Sequence, residues 1–182
     1  MEFVSTNHPE VIRVIPKVFQ DDRGFFMECY KQILFKDAGI AYDFVQDNHS
    51  SSAKSILRGI HYQVTHTQGK LVRVVIGEVF DVAVDLRRSS PYFGKWVGVV
   101  LSETNKEQLW IPPGFGHGFY TLSERADVVY KATDNFDPDG ERCIRWDDPD
   151  LAIDWPIHDG LTPLVSKKDA ACVSFREAEV FA

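Results

Sequence analysis

Chemistry-bearing residues concentrate where Leu57-Arg58-Gly59-Ile60-His61-Tyr62-Gln63 is followed closely by Gln68-Gly69-Lys70-Leu71-Val72. An imidazole, a guanidinium and an ammonium fall in one strand-rich stretch. His61 can take a proton, Arg58 can clamp an anion, and Lys70 can stabilise negative charge as it develops. That is more chemistry than a structural core normally carries. Further on, Pro112-Pro113-Gly114-Phe115-Gly116-His117 sets a second histidine just past a turn. On their own surroundings, Tyr130 reads as an aromatic strand residue packed inside, and Asp169, after Lys167 and Lys168, as a surface charge.

The elements that position these groups are short strands. Between Lys70 and Leu86, Phe80, Val82, Val84 and Leu86 alternate with Asp81, Ala83 and Asp85, the period-2 pattern of half-buried strands, with a break at Gly77-Glu78. Further β-rich runs span Val11 to Phe19, Trp96 to Leu101, Gln108 to Ile111, Gly118 to Leu122 and Asp127 to Thr133, separated by Ser-Pro, Pro-Gly and Asp-Pro-Asp-Gly turns. Helix is expected only near Lys31 to Ala38, with a turn near Lys167 to Ala171, and neither is expected to matter for function. The 182 residues show no repeat or linker, so residues 1–182 are expected to form a single all-β domain, a sandwich, jelly roll or barrel with a few short peripheral helices.

A formal net charge of -7 argues against a nucleic-acid or anionic-membrane binder, and no apolar run approaches the roughly 18 to 20 residues that span a bilayer. Met1-Glu2-Phe3-Val4-Ser5 lacks the basic and apolar regions of a secretory leader, so a cytoplasmic protein is expected. Cys29, Cys143 and Cys172 are widely spaced and form no C-x-x-C pair, which suggests reduced thiols rather than a disulfide framework or a zinc site.

A glycine and histidine on a strand, followed by a Pro-x-Gly-x-x-His turn, is the skeleton of the two cupin half-motifs. A metal-binding cupin needs an H-x-H pair and a Glu, and His61-Tyr62-Gln63 stands where the pair would be. His66 falls in a Thr-rich turn. No metal site is expected, so a jelly roll of this kind must work with its side chains.

Those side chains lie in blocks that resemble the dTDP-4-dehydrorhamnose 3,5-epimerase family along most of the chain. The resemblance rests on Asp22-Arg23-Gly24-Phe25-Phe26-Met27-Glu28, on Gln46-Asp47-Asn48 with Ser50, and on the Leu57 to Gln63 and Gln68 to Val72 blocks. It continues through Asp81-Val82-Ala83-Val84-Asp85, Ser90-Pro91-Tyr92-Phe93-Gly94, the turn to His117, Tyr130, Trp146-Asp147-Asp148-Pro149, Ile153-Asp154-Trp155-Pro156 and Ser166-Lys167-Lys168-Asp169.

The resemblance implies a cupin-type jelly roll that moves protons on a dTDP-linked 4-keto-6-deoxy sugar. It makes His61 the base, Asp169 the carboxylate that orients it, Lys70 the cation near the C4 oxygen, and Tyr130 the acid on the opposite face. It matches Arg23, Arg58 and Lys168 to basic ligand positions, Glu28, Gln46, Asp47, Asn48 and Glu141 to polar contacts with nucleotide or sugar, and His117 to a histidine near the sugar and phosphates. It also implies a homodimer whose N-terminal strands pair with the partner, so that Arg23 and Glu28 serve the other chain's site. No cofactor is expected, because the ketone is already in the substrate and no hydride moves. The chain carries neither G-x-G-x-x-G nor a Walker lysine loop.

Other readings stay open. A relative that inverts only C3 or only C5 of another nucleotide-linked 4-keto sugar would share His61, Lys70 and Tyr130. A noncatalytic carbohydrate-binding jelly roll would keep the arginines and lose the base or acid. A metal-dependent cupin oxygenase would reveal itself by stoichiometric metal.

Overall fold

Lys70 to Asp85 folds as β7 (Lys70–Ile76) and β8 (Glu78–Asp85), and the break at Gly77 is a corner between two sheets. Gly77 adopts φ +75°, and a Cβ there would lie 1.9 Å from the carbonyl oxygen of Arg125, so only glycine can turn the chain here. In the computed structural model, which describes residues 1–157 and 161–182, a six-stranded sheet of order β1-β2-β10-β7-β12-β5 faces a five-stranded sheet of order β13-β6-β11-β8-β9. Both sheets are antiparallel throughout. Their ranges are β1 (Glu2–Ser5), β2 (Ile12–Ile15), β5 (Gln46–Ala53), β10 (Gln108–Ile111) and β12 (Arg125–Ala132) in the first. The second holds β6 (Leu57–Gln63), β9 (Trp96–Ser102), β11 (Phe115–Thr121) and β13 (Glu141–Cys143). This is the all-β jelly roll expected from the sequence.

Three apolar clusters hold the layers together. Val72, Val74, Leu109, Ile111 and Val128 meet Val79, Ala83, Leu101, Phe115 and Phe119 between the sheets. Leu57, Ile60, Tyr62, Val82 and Val84 on the outer face of the second sheet are covered by the C-terminal segment through Ile144, Leu151, Trp155 and Ala178. On the outer face of the first sheet, Phe35 of helix α1 (Gln32–Asp37) packs with Ile40, Leu71 and Trp110. The alternating pattern of β8 therefore does not mark a half-solvated strand. Asp81 and Asp85 are fully buried, and both faces of the strand are covered.

The expected strands are present, with shifted ends. The run from Val11 to Phe19 divides at Pro16 into β2 and β3 (Val18–Asp21). Strand β5, Gln-Asp-Asn-His-Ser-Ser-Ser-Ala, has no apolar alternation to announce it, and it forms by pairing along the whole length of β12. Strand β3 and β4 (Gly24–Met27) make a hairpin that joins neither main sheet and leaves Phe19, Phe25 and Phe26 53%, 56% and 67% exposed. Among the described residues no helix is long and apolar enough to cross a membrane.

The expectation of three reduced thiols is corrected. Cys143 and Cys172 form a disulfide, with Cα atoms 5.2 Å apart, and only Cys29 is free. Their separation of 29 residues in sequence gave no sign of proximity. The C-terminal segment returns beside β13, where Arg145 N–H donates to the Val173 carbonyl at 2.9 Å.

At the end of β8, Arg87 forks onto both Asp85 oxygens at 2.9 and 2.8 Å and reaches Glu10 with its other edge, while His8 meets Asp85 at 3.1 Å. Burial pushes the Asp85 carboxyl up, and the hydrogen bonds from Arg87 more than reverse this, holding it at about 2. A carboxyl depressed from 3.8 adds stability that is present above pH 4 and lost as pH falls through about 2. Asp85→Asn is expected to cost roughly 2 kcal/mol in urea unfolding at pH 7, and the difference from the native protein should shrink steadily below pH 4. A difference unchanged at pH 2.5 would contradict this role.

Candidate active site

Strict strand alternation would put Arg58 and His61 on opposite faces of β6. The pairing of β6 with β11 shifts by one residue between His117↔His61 and Phe119↔Arg58, and this irregularity lets both side chains line one cavity. Gly59, at φ +122°, makes the shift possible. A Cβ on it would lie 2.5 Å from the Gly118 Cα and 2.7 Å from the His117 carbonyl oxygen.

The cavity, about 190 Å³, opens between the two sheets. His61 and Arg58 come from β6, His117 from β11 and Glu141 from β13, all in the five-stranded sheet; Lys70 from β7 and Tyr130 from β12 come from the six-stranded sheet. Imidazole and phenol therefore stand on opposite walls. Lys70 lies beside the tyrosine, its Nζ 5.8 Å from the ring centre, and the His117 ring lies 6.3 Å from the same ring.

Asp169 reaches His61 from outside both sheets. It sits on the single-turn helix α2 (Lys167–Ala170), where Ser166 Oγ accepts from the Asp169 N–H at 3.0 Å and donates to its Oδ2 at 2.6 Å. That leaves Oδ1 to accept from His61 Nε2 at 2.5 Å. An ionised carboxylate can only accept, so the imidazole nitrogen it meets carries the hydrogen and the other nitrogen keeps its lone pair. Asp169 is buried, which pushes its carboxyl up, but the hydrogen bonds from His61 and Ser166 outweigh burial and hold it below the usual carboxylate range. Helix α2, to which sequence reasoning lent little weight, carries Asp169, and its Lys168 pairs with Glu141 at 2.5 Å.

Two further groups have unusual titration. Burial pulls the Lys70 ammonium down to about 8, although the nearby carboxylates of Asp81 and Glu141 oppose the shift. Burial, with Glu141 adding to it, pushes the Tyr130 phenol up, so it stays protonated across the neutral range.

The other expected site residues divide. Arg58, His117 and Glu141 line the central cavity, and Arg58 is steadied by Ser52 Oγ at 3.0 Å. Gln46 and Asn48 are half-buried and joined to each other at 3.0 Å, while Asp47 points outward to Lys131 at 2.9 Å. Asp47 and Asn48 border a neighbouring cavity of about 280 Å³ rather than the central one. Arg23, paired to Asp21, and Glu28, 3.8 Å from Lys31, lie at the β3–β4 hairpin and just after it, and line neither cavity. His66 is exposed in the turn after β6 and faces Asp134 at 3.3 Å.

Sequence reasoning gave no role to three residues of the site. Asp81, fully buried, holds His117 Nε2 at 3.0 and 3.1 Å; its position inside an apolar strand was the available signal. Ser166 presents the cap-like spacing to Asp169 that could have revealed it. Phe136 lines the cavity mouth and carried no signal. Among the described residues no three His, Cys, Asp or Glu side chains gather as a metal site.

This arrangement can take a proton from one side of a bound molecule, hold the charge left behind, and return a proton from the other side. A jelly roll with such a cavity belongs to the class of proton-transferring isomerases. Comparison with known proteins gives the particular family. The family profile described as dTDP-4-dehydrorhamnose 3,5-epimerase matches residues 5–177. The chain is 58% identical over 174 residues to a dTDP-4-dehydrorhamnose 3,5-epimerase of Pseudomonas aeruginosa, covering 95% of each. Its fold matches the crystal structure of a Legionella pneumophila dTDP-6-deoxy-D-glucose-3,5-epimerase in complex with dTDP-4-keto-L-rhamnose, with a TM-score of 0.94, 50% identity, and 98% and 94% of the two chains covered. A 3'-monoepimerase from Streptomyces bikiniensis, in complex with dTDP-quinovose, matches at a TM-score of 0.87 and 30% identity over 94% of this chain and 87% of that one. The chain belongs to the dTDP-4-dehydrorhamnose 3,5-epimerase family.

A buried ammonium can be observed directly. After reductive methylation with labelled formaldehyde, one lysine methyl resonance is expected to titrate near pH 8 and to vanish in Lys70→Met. A full set of lysines titrating at the ordinary 10.5 would contradict the burial assigned to Lys70.

Proposed function

We propose that the protein inverts C3 and C5 of dTDP-4-dehydro-6-deoxy-D-glucose and releases dTDP-4-dehydro-L-rhamnose. The observation that carries the reading is the facing of His61 and Tyr130 across one cavity, in a chain so similar over nearly its whole length to named 3,5-epimerases. Inversion needs an acid opposite the base, because an acid on the same side would return the proton to where it came from.

The C4 ketone of the sugar acidifies the hydrogens on C3 and C5, and the free nitrogen of His61 takes one of them. Asp169 holds the ring in orientation and supports the imidazolium that forms. The electron pair left on carbon delocalises onto the C4 oxygen as an enolate, which the Lys70 ammonium stabilises. Loss of one such donor typically costs about 2.7–4 kcal/mol of barrier. Tyr130 then protonates the carbon from the opposite wall, and a second round at the other carbon completes the conversion. No hydride moves, so the reaction calls for no redox cofactor.

Arg58, His117 and Lys168 are the basic groups near enough to meet the sugar and diphosphate, with Glu141 as a polar contact. Gln46, Asp47 and Asn48 meet the nucleotide beyond the central cavity, along the neighbouring one that Asp47 and Asn48 border. Arg23 and Glu28 act in the site of a second copy, in a homodimer formed by the β3–β4 hairpin. Its exposed phenylalanines, and the marginal stability of a lone two-stranded hairpin, support that assembly. The enzyme works in the cytoplasm, where nucleotide-linked sugars are made. A second reading, inversion at one carbon only, is supported by the likeness to a 3'-monoepimerase.

Variants separate the two protons. In D2O, His61→Ala is expected to lose deuterium incorporation at C3 and C5 by about 10²–10⁴-fold. Tyr130→Phe should still exchange protons but form little inverted product, most visibly at C5. Turnover by His61→Ala at the rate of the unaltered enzyme would contradict the mechanism.

A further inference from the structure

The Asp169 carboxylate rests on a helix of one turn, and a helix that short has no stability of its own. What fixes it are the tethers of the segment around it. On the N-terminal side, Leu164 exchanges backbone hydrogen bonds with Ser55 and Leu57 at 2.9 and 3.1 Å. On the C-terminal side, Val173 bridges to Ile144. Between these lie the Lys168–Glu141 ion pair, whose lysine is more than half exposed, and one covalent link, Cys143–Cys172. An exposed ion pair is screened by salt and holds weakly. The covalent link is the strong tether.

Its two ends sit at the dyad. Cys143 is the cross-strand register partner of His61, between β13 and β6. Cys172 follows Asp169 by three residues and closes the turn, with its backbone N–H on the Asp169 carbonyl at 3.3 Å and its sulfur 3.5 Å from the Lys168 carbonyl. The bond thus ties the strand beside the base to the helix of the carboxylate. Both cysteines are half-buried, within reach of a small reductant. Disulfides of cytoplasmic proteins are for the most part redox-sensing or transient rather than structural.

We propose that the Cys143–Cys172 disulfide is a redox-sensitive positioning element: oxidised, it holds Asp169 on His61, and reduced, it frees α2 and slows proton abstraction. The proposal rests on the epimerase reading above. In the reductive step a dithiol gives two electrons and two protons. The bond between the Cys143 and Cys172 sulfurs breaks, each becomes a thiol, and the dithiol closes to its own disulfide. Neither cysteine lines the central cavity. They act on the chemistry through Asp169, so the main loss falls on kcat, and Lys168 on the same helix accounts for a smaller change in KM.

The test uses the full-length protein, air-oxidised or treated with oxidised glutathione, against the same protein reduced with dithiothreitol. Thiol alkylation and mass measurement should find one reactive cysteine before reduction and three after it. With dTDP-4-dehydro-6-deoxyglucose in D2O, reduction is expected to lower kcat for exchange by roughly 10-fold or more with a smaller change in KM, and reoxidation to restore it. A Cys143→Ser/Cys172→Ser double variant should match the reduced enzyme and ignore dithiothreitol. Asp169→Asn, already slow, should lose nothing further on reduction, because the link has no other route to the chemistry.

Three reactive thiols that no oxidant diminishes would overturn the proposal. So would exchange indifferent to reduction, or an Asp169→Asn enzyme slowed by the same factor as the native one. If the oxidised protein exchanges neither carbon, the epimerase reading itself fails and the proposal with it, an outcome distinct from exchange that merely ignores the reductant.

Discussion

Asp169 stands 108 residues from His61 in sequence and meets it at 2.5 Å, and the orientation of the imidazole depends on this hydrogen bond. An imidazole free to spin in a cavity would present either nitrogen in either tautomer. With Nε2 committed to a buried carboxylate, one nitrogen faces the cavity and the charge that follows proton uptake has a partner already in place. The cost of burying Asp169 is offset locally. Ser166 caps its backbone and takes one oxygen, His61 takes the other, and the carboxyl stays ionised despite its surroundings.

The sandwich supplies what the dyad cannot. His61 belongs to one sheet and Tyr130 to the other, so the layer spacing itself sets imidazole and phenol on opposite sides of whatever enters. The interior that fixes their distance is the apolar cluster of Val72, Val128, Ala83 and Phe119 deeper between the sheets. Lys70 enters from β7, next to Tyr130, and its burial raises the energy of its own charge. A buried ammonium is poorly solvated, and in the proposed reaction the enolate oxygen forming beside it would be its partner. Asp81, fully buried on β8, likewise holds His117 Nε2 at 3.0 Å.

Much of this was legible in the sequence, and the limits have physical causes. Period-2 alternation exposed β8, and a short apolar run exposed β10 to the residue, because burial on a sheet face writes itself into residue type. Strand β5 escaped because it is an edge strand rich in polar side chains and is formed by its partner rather than by its own pattern. Arg58 and His61 were visible as neighbours in sequence, but their shared face depends on a register shift that only the close approach of Gly59 to Gly118 explains. The roles of Tyr130 and Asp169 came from family resemblance alone; local sequence favoured a core aromatic and a surface charge. The geometry sets Tyr130 in the cavity wall and Asp169 on His61. The disulfide was invisible because loop spacing says nothing about where a C-terminal segment returns.

The central claim is that one cavity abstracts and returns protons at two carbons flanking a ketone. The most direct measurement is proton NMR of dTDP-4-dehydro-6-deoxyglucose incubated with the unaltered enzyme in D2O, with a 4-keto reductase present to trap product. The account predicts deuterium at both C3 and C5 and an L-rhamno product. Deuterium at one carbon, or at neither, would contradict it.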